Sequence, residues 1–387
     1  ERNINIGKRQ FEMGKVAIYQ NTISFGGRIR VIATMTECFN KMGIIPDWFA
    51  YRSSFDSKQL NEIHSVPIQA NIKIINVWNK GMGEYKYIKL NKIMSKISTD
   101  YDLVLNSNNV LSGINNLDKF LHYIHFPREA RVLTAYRNSV YSYRLIDYFF
   151  DKMFKSYFNK ANVGLGMMVN SKFTQKAVAD AYGFSEEMCQ VLYPPISINE
   201  MQKSKLIKDG NAVISVGRFS QEKNQLMQIK IAETLPQLTF NICGYAPNKS
   251  SNKYFHDCVD YINRKSIKNV ILNKNMSADA LEDKHKKAKY FLHTMEEEPF
   301  GISTVEAILN GCIPIVHNSG GSAEIVENEK LLFNTENEAI ESFNYIMSLN
   351  EQLQDKVQND LRGQLDKYNE SHFKDSFNKI IKKIIRK

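Results

Sequence analysis

The stretch Glu298-Pro299-Phe300-Gly301-Ile302-Ser303-Thr304-Val305-Glu306 sets two carboxylates on either side of a proline and a glycine. An apolar run at 290–293 leads into it. A helical pattern follows as far as Asn310-Gly311, and a second apolar run occupies 313–316. Such a βαβ unit places its loop at the carboxyl end of the first strand, where open α/β sheets bind ligands. The free N–H groups and partial positive charge of the helix start suit a diphosphate. Glu306, in the first turns, can accept hydrogen bonds from ribose hydroxyls, and Glu298, before the turn, can hold sugar hydroxyls. Both glutamates also favour a helix start for local reasons, and by themselves they leave that choice open.

A second segment, Gly217-Arg218-Phe219-Ser220-Gln221-Glu222-Lys223-Asn224, lies just past another strand pattern at 212–216. Arg218, as a planar fork, and Lys223, as a point charge, can both reach an anion over the same crevice. Taken alone, the two cations also fit a solvated surface pair.

Other patterns are incomplete. Gly164-Leu165-Gly166 and Gly81-Met82-Gly83 lack the third glycine of a dinucleotide fingerprint, and no Walker A sequence is present. Asp100-Tyr101-Asp102 has a D-x-D form but runs directly into the apolar Leu103-Val104-Leu105, which reads as a turn at a strand edge. No His, Cys and carboxylate cluster has metal-ligand spacing, so no obligatory metal or other cofactor is expected. The five scattered cysteines form no C-x-x-C pair and point to reduced thiols, hence a cytoplasmic setting. Two Asn-x-Ser matches, at Asn248 and Asn275, then read as chance.

The elements that must position these residues alternate along the chain. Strand patterns fall at Val16–Tyr19, 72–77, Leu103–Asn106, Phe120–Ile124 and 163–169, and a helix at 29–42 follows a loop containing Gly26-Gly27. Tyr193-Pro194-Pro195 interrupts the pattern, because two prolines continue neither a helix nor a central strand. A second alternation begins after it, with strands at 212–216, 239–243, 270–272, 290–293 and 313–316. The expected organisation is an N-terminal α/β domain at 1–195, a C-terminal one at 196–370, and a closing amphipathic helix at 371–387, packed on the body of the protein or touching a membrane surface. At 387 residues, 43% hydrophobic and 24% charged, both domains can bury a core. The formal charge of +10 suits an anionic partner, whether nucleic acid, an acidic membrane or a diphosphate. No run of 18 apolar residues is present to span a bilayer. The mixture of aromatics and lysines at 141–160 fits a core helix whose cations face water or a membrane-docking surface.

Together G-R-F-S-x-E-K-N at 217–224, E-P-F-G-x(4)-E-A at 298–307, Gly311 and Pro314 resemble the retaining family 4 glycosyltransferases. Shorter stretches are similar to the α-1,2-mannosyltransferases that extend dolichol-linked oligosaccharides: 169–174, 192–195, Leu292-His293-Thr294-Met295 and His317-Asn318-Ser319-Gly320-Gly321. The resemblance implies a GT-B fold, two Rossmann-like domains with parallel sheets facing a central cleft. It implies that Arg218 and Lys223 bind the donor diphosphate, that Glu306 holds the ribose, that Glu298 with the backbone of Phe300, Gly301 and Ile302 holds the transferred sugar, and that Thr304 is a further donor-binding residue. It places Gly27 at the phosphate and acceptor, and His125 near the reacting sugar. The implied reaction moves a hexose, by preference mannose from GDP-mannose, to a glycan or lipid-linked acceptor. The implied setting is the cytoplasmic face of an anionic membrane surface, with no nucleic acid partner. A UDP-sugar with a soluble acceptor is the alternative donor and acceptor. A glycoside hydrolase would use Glu298 and Glu306 as acid and nucleophile or base but leaves Arg218 and Lys223 without a task. A non-catalytic nucleotide-sugar-binding protein would keep these motifs without turnover.

Overall fold

The computed structural model describes residues 14–23, 27–54, 56, 59, 66–76, 85–108, 114–115, 117–127, 164–183, 185–197 and 208–385. The segment 141–160, for which a core helix and a membrane surface were both open, lies outside the described residues, as do Gly26 and Gly81-Met82-Gly83. The chain divides into two compact units: Glu1–Pro195 with Glu370–Lys387, and Ile196–Asn369.

The first unit holds strands β1 (Val16–Tyr19), β2 (Thr22–Ile23), β3 (Asp47–Ala50), β4 (Arg52–Ser53), β5 (Asn71–Ile74), β6 (Leu103–Asn106), β7 (Phe120–Ile124), β8 (Gly166–Val169) and β9 (Cys189–Val191). Seven of them form one parallel sheet in the order β5-β3-β1-β6-β7-β8-β9. Its described helices are α1 (Gly27–Lys41), α2 (Tyr85–Ile97) and α3 (Lys172–Tyr182). β1, β6 and β7 are buried along their whole length, because helices cover both faces of a parallel sheet. β8 starts later than the apolar pattern at 163–169 implies. Gly164 (φ +65°) and Gly166 (φ +151°) turn the chain there, and a Cβ on Gly164 would lie 2.2 Å from the Leu117 carbonyl oxygen.

The second unit holds β10 (Asp209–Val216), β11 (Thr239–Gly244), β12 (Val270–Lys274), β13 (Ala288–His293), β14 (Ile313–His317) and β15 (Leu332–Phe333), all parallel in the order β12-β11-β10-β13-β14-β15. Its helices are α4 (Gln225–Thr234), α5 (Lys249–Lys265), α6 (Ala278–Lys287), α7 (Ile302–Leu309), α8 (Gly320–Val326), α9 (Glu336–Ser348) and α10 (Glu351–Gly363). Asn248 caps α5 by accepting from Ser251 N at 2.9 Å, and Asn275 Oδ1 accepts from Ala246 N at 3.1 Å. Both asparagines therefore have structural tasks.

The last helix, α11 (Glu370–Ile385), returns to the first unit. Phe373, Phe377 and Ile381, four residues apart, are buried in the same core as α1, and the Phe377 ring meets Phe39 edge-on at 5.5 Å. Each such aromatic contributes roughly 1.5–3 kcal/mol by burial. Lys374 seals the contact with an ion pair to the buried Glu37 at 2.8 Å. No helix among the described residues is long and apolar enough to cross a membrane, and all five cysteines are free and buried.

Candidate active site

In the second sheet the strand order reverses direction between β10 and β13. Ligands bind outside the carboxyl ends of strands at such a switch point. The two segments singled out from the sequence leave from there: the Gly217–Asn224 loop follows β10 and the acidic loop follows β13.

Packing fixes the first loop. Gly217 N donates to Cys243 O at 3.0 Å and Phe219 N to Tyr245 O at 3.0 Å, while the Phe219 ring is fully buried against Phe255. A Cβ on Gly244 would lie 2.2 Å from Gly217 O, so only glycine allows this approach. The Thr294 hydroxyl lies 2.8 Å from the Lys223 carbonyl oxygen and accepts from Gln228 Nε2 at 2.9 Å. With its ends fastened, the loop sends Arg218 and Lys223 outward. Both find carboxylates: Arg218 pairs with Glu222, each 40% exposed, and Lys223 pairs with Glu298.

Glu298 is held from both backbone and side chain. Preceding it, Glu297 adopts φ +53°, a conformation costing about 1–3 kcal/mol outside glycine. The surroundings enforce it. Glu297 N donates to Ser319 Oγ at 2.8 Å, Ser319 Oγ lies 2.8 Å from His317 Nδ1, and Gly321 N donates to Glu298 O at 2.7 Å. Gly320, at φ +73°, has no room for a Cβ, which would lie 2.4 Å from Glu298 O. The Glu298 carboxylate contacts Lys223 Nζ and His293 Nε2, the latter at 3.1 Å. Burial opposes its charge, but the Lys223 ammonium and the His293 hydrogen bond outweigh burial and hold its pKa well below the carboxylate range.

Gly301, at φ +104°, starts α7 without a side-chain cap. Phe300 is buried with its ring on Tyr368, and Ile302 is half-buried. Thr304, named above for donor binding, is fully buried. Its hydroxyl lies 3.1 Å from Ser322 Oγ and its amide donates to Gly301 O at 3.0 Å, so it shapes the turn. Glu306 is half-buried one turn further on, within electrostatic reach of His285.

The first sheet reverses between β1 and β6, and its candidate residues gather at that carboxyl edge. Gly27 opens α1. His125 follows β7, with Nε2 3.0 Å from Ser107 Oγ. Burial, then the nearby Arg28 guanidinium, hold the His125 pKa well below the ordinary histidine value, so its ring is neutral at pH 7. Asn106, Asn108 and His122 form a buried polar network beside it. Asp102 sits at the opposite edge, where its Oδ2 accepts from Gly14 N and Lys15 N at 2.9 Å each. Among the described residues no group of three or more His, Cys, Asp or Glu is arranged to hold a metal.

Residues 197–370, which span the second unit, match the family described as glycosyl transferases group 1. The second unit is thus similar to the group 1 glycosyl transferases. Curated relatives of the chain carry the name GDP-Man:Man(3)GlcNAc(2)-PP-Dol alpha-1,2-mannosyltransferase. The one from Homo sapiens is 25% identical over 240 residues, covering 57% of this chain and 49% of the relative. The one from Dictyostelium discoideum is 27% identical over 243 residues, covering 57% and 47%. The chain thus spans about half the length of the curated relatives it matches. Among solved structures, HepE of Anabaena in complex with UDP and glucose superposes with a TM-score of 0.70 at 16% identity, covering 96% of this chain and 99% of HepE. WaaG, a glycosyltransferase involved in lipopolysaccharide biosynthesis, does so at 0.69 and 14%, covering 94% and 99%. The chain has the GT-B fold, and in its second unit the Lys223–Glu298 pair joins the two motifs read separately from the sequence. His293 received no role from the sequence. The available signal was a histidine at the last position of a strand, five residues before Glu298.

Proposed function

We propose that this chain is a retaining, metal-independent glycosyltransferase that moves a hexose, mannose from GDP-mannose, to a hydroxyl of a glycan or lipid-linked acceptor. The observation that carries this is the Lys223–Glu298–His293 cluster at the switch point of a unit similar to the group 1 glycosyl transferases. The names of the curated relatives support the choice of donor and acceptor.

Arg218, Lys223 and the uncapped start of α7 receive the diphosphate. Glu306 takes the ribose, and Glu298 with the backbone at Phe300, Gly301 and Ile302 takes the sugar. In the reaction the bond from the anomeric carbon to the diphosphate oxygen breaks, and a bond to the acceptor oxygen forms on the same face. The acceptor proton passes to the leaving phosphate, which departs as nucleoside diphosphate. Fixed cations stabilise the charge that grows on the leaving oxygen. In the first unit, Gly27 leaves room for the acceptor, and the neutral His125 ring serves beside the reacting sugar. The charge of +10 suits peripheral contact with an anionic membrane surface.

A thermal-shift screen tests this. GDP and GDP-mannose should raise the melting temperature by mass action, and mannose transfer with retained anomeric configuration should persist in EDTA. A shift with UDP and UDP-sugars alone would overturn the donor assignment. Activity abolished by EDTA and restored by Mg²⁺ would overturn metal independence. Hydrolysis of an aryl glycoside without nucleotide would overturn transfer altogether.

A further inference from the structure

The two oxygens of the Glu298 carboxylate have different surroundings. Lys223 Nζ and His293 Nε2 both meet Oε2, and Oε1 has no partner among the described residues. The two groups that hold Oε2 also differ in kind. Lys223 is a cation on a flexible stem, 20% exposed. The His293 side chain is 3% exposed and stacks on Phe291 at 6.0 Å and 11° between planes. Burial keeps its pKa below 6.5 despite the opposing effect of Glu298, so the ring is neutral at pH 7. An ionised carboxylate only accepts, and so the proton of the neutral ring sits on Nε2.

These differences matter once an anion arrives. A nucleoside diphosphate carries more charge than a carboxylate and competes for the Lys223 ammonium. A neutral N–H has no charge to be drawn off, and the stacked, buried ring has no room to follow. We propose that His293 is a positioning residue: its Nε2–H holds Oε2 of Glu298, so that Oε1 stays turned to the donor's sugar hydroxyls when Lys223 moves to the diphosphate. This presumes the donor site proposed above and adds a division of labour within it. Lys223 serves the nucleotide portion, and His293, acting through Glu298, serves the sugar.

Two variants separate the N–H from the packing. His293→Phe keeps a stacked ring and removes the donor, whereas His293→Gln restores a side-chain N–H. Titration calorimetry with GDP and with GDP-mannose, alongside steady-state kinetics, reads the result. In His293→Phe, GDP affinity should stay within about twofold of wild type, GDP-mannose affinity should fall about tenfold, and kcat should fall more than KM rises. His293→Gln should recover most of each loss. Lys223→Ala should show the converse, with GDP itself weakened. The proposal is overturned if His293→Phe binds and turns over GDP-mannose like wild type. It is also overturned if both ligands weaken equally in His293→Phe, or if His293→Gln folds but rescues nothing. A wild-type protein that binds GDP-mannose no better than buffer would sink the donor assignment instead, and UDP with UDP-glucose would then be the pair to titrate.

Discussion

Two lysines sit at opposite ends of the second sheet and behave differently. At the amino edge, Lys208 lies just before β10, and its ammonium donates to main-chain carbonyls of Ala288, at 2.9 Å, and Asn310, with His285 O at 3.4 Å. His285 and Asn310 lie at the ends of α6 and α7, where helix dipoles favour a cation. At the carboxyl edge, Lys223 faces a side-chain carboxylate on a loop. Carbonyl partners cannot leave, so Lys208 serves as a fastening. A carboxylate partner can be exchanged for another anion, so Lys223 can serve a ligand. One residue type in one sheet thus has two tasks, decided by what its ammonium meets.

The largest effect should come from removing the exchangeable cations. Lys223→Ala or Arg218→Ala should lower kcat/KM by roughly 10²–10³, as for loss of a preorganised charge-stabilising group. The urea midpoint should hardly move. Near-normal activity in a folded variant would remove the diphosphate from this loop. Lys208→Met should reverse the pattern, with stability falling by about 1–3 kcal/mol through unsatisfied buried carbonyls and kcat/KM of the folded fraction unchanged. Lost activity at unchanged stability would contradict a fastening role.

The smallest effect is shared by both edges. His293 beside Glu298 and His285 near Lys208 are buried, and burial holds both below the ordinary value of 6.5. As pH falls below about 6.5, the unfolded chain takes up protons that these rings refuse, so the unfolded state gains. Each unit of depression is worth about 1.4 kcal/mol. The Glu298 contribution has the opposite form. It is present above the ordinary carboxylate range and is lost only as pH falls below it. Between pH 7 and pH 5 the urea midpoint should therefore drop while GDP-mannose affinity holds. Parallel losses of both would break the link drawn between Glu298 ionisation and the donor site.

What could be read from the sequence follows from how local each feature is. Strands buried on both faces announce themselves as apolar runs, as in Phe120–Ile124. β3 begins on the charged Asp47 straight after Pro46, which hides its apolar Trp48-Phe49-Ala50, and β9, with three residues, is too short for a pattern to form. Arg218, Lys223, Glu298 and Glu306 stand out because loop and helix chemistry is written in adjacent residues. The pairing of Lys223 with Glu298 is not local. It needs two neighbouring strands, the backbone turn at Glu297, and the close approach of Gly320. The contact of Thr304 with Ser322 is non-local in the same way, since it brings together residues 18 positions apart.

The return of α11 to the first unit has a consequence for biosynthesis. Phe373, Phe377 and Ile381 belong to a core whose other members lie before residue 195. The first unit therefore leaves the ribosome lacking part of its own interior. At roughly 5–20 residues per second, translating residues 196–369 takes on the order of 10–35 s. During that interval the α1 surface that will receive α11, including Phe39 and the carboxylate of Glu37, stays uncovered in the nascent chain. The second unit is contiguous in sequence and can close before it. The segment that completes the first unit is made only after the whole of the second, which makes this helix the place where a chaperone holding the nascent chain would be displaced.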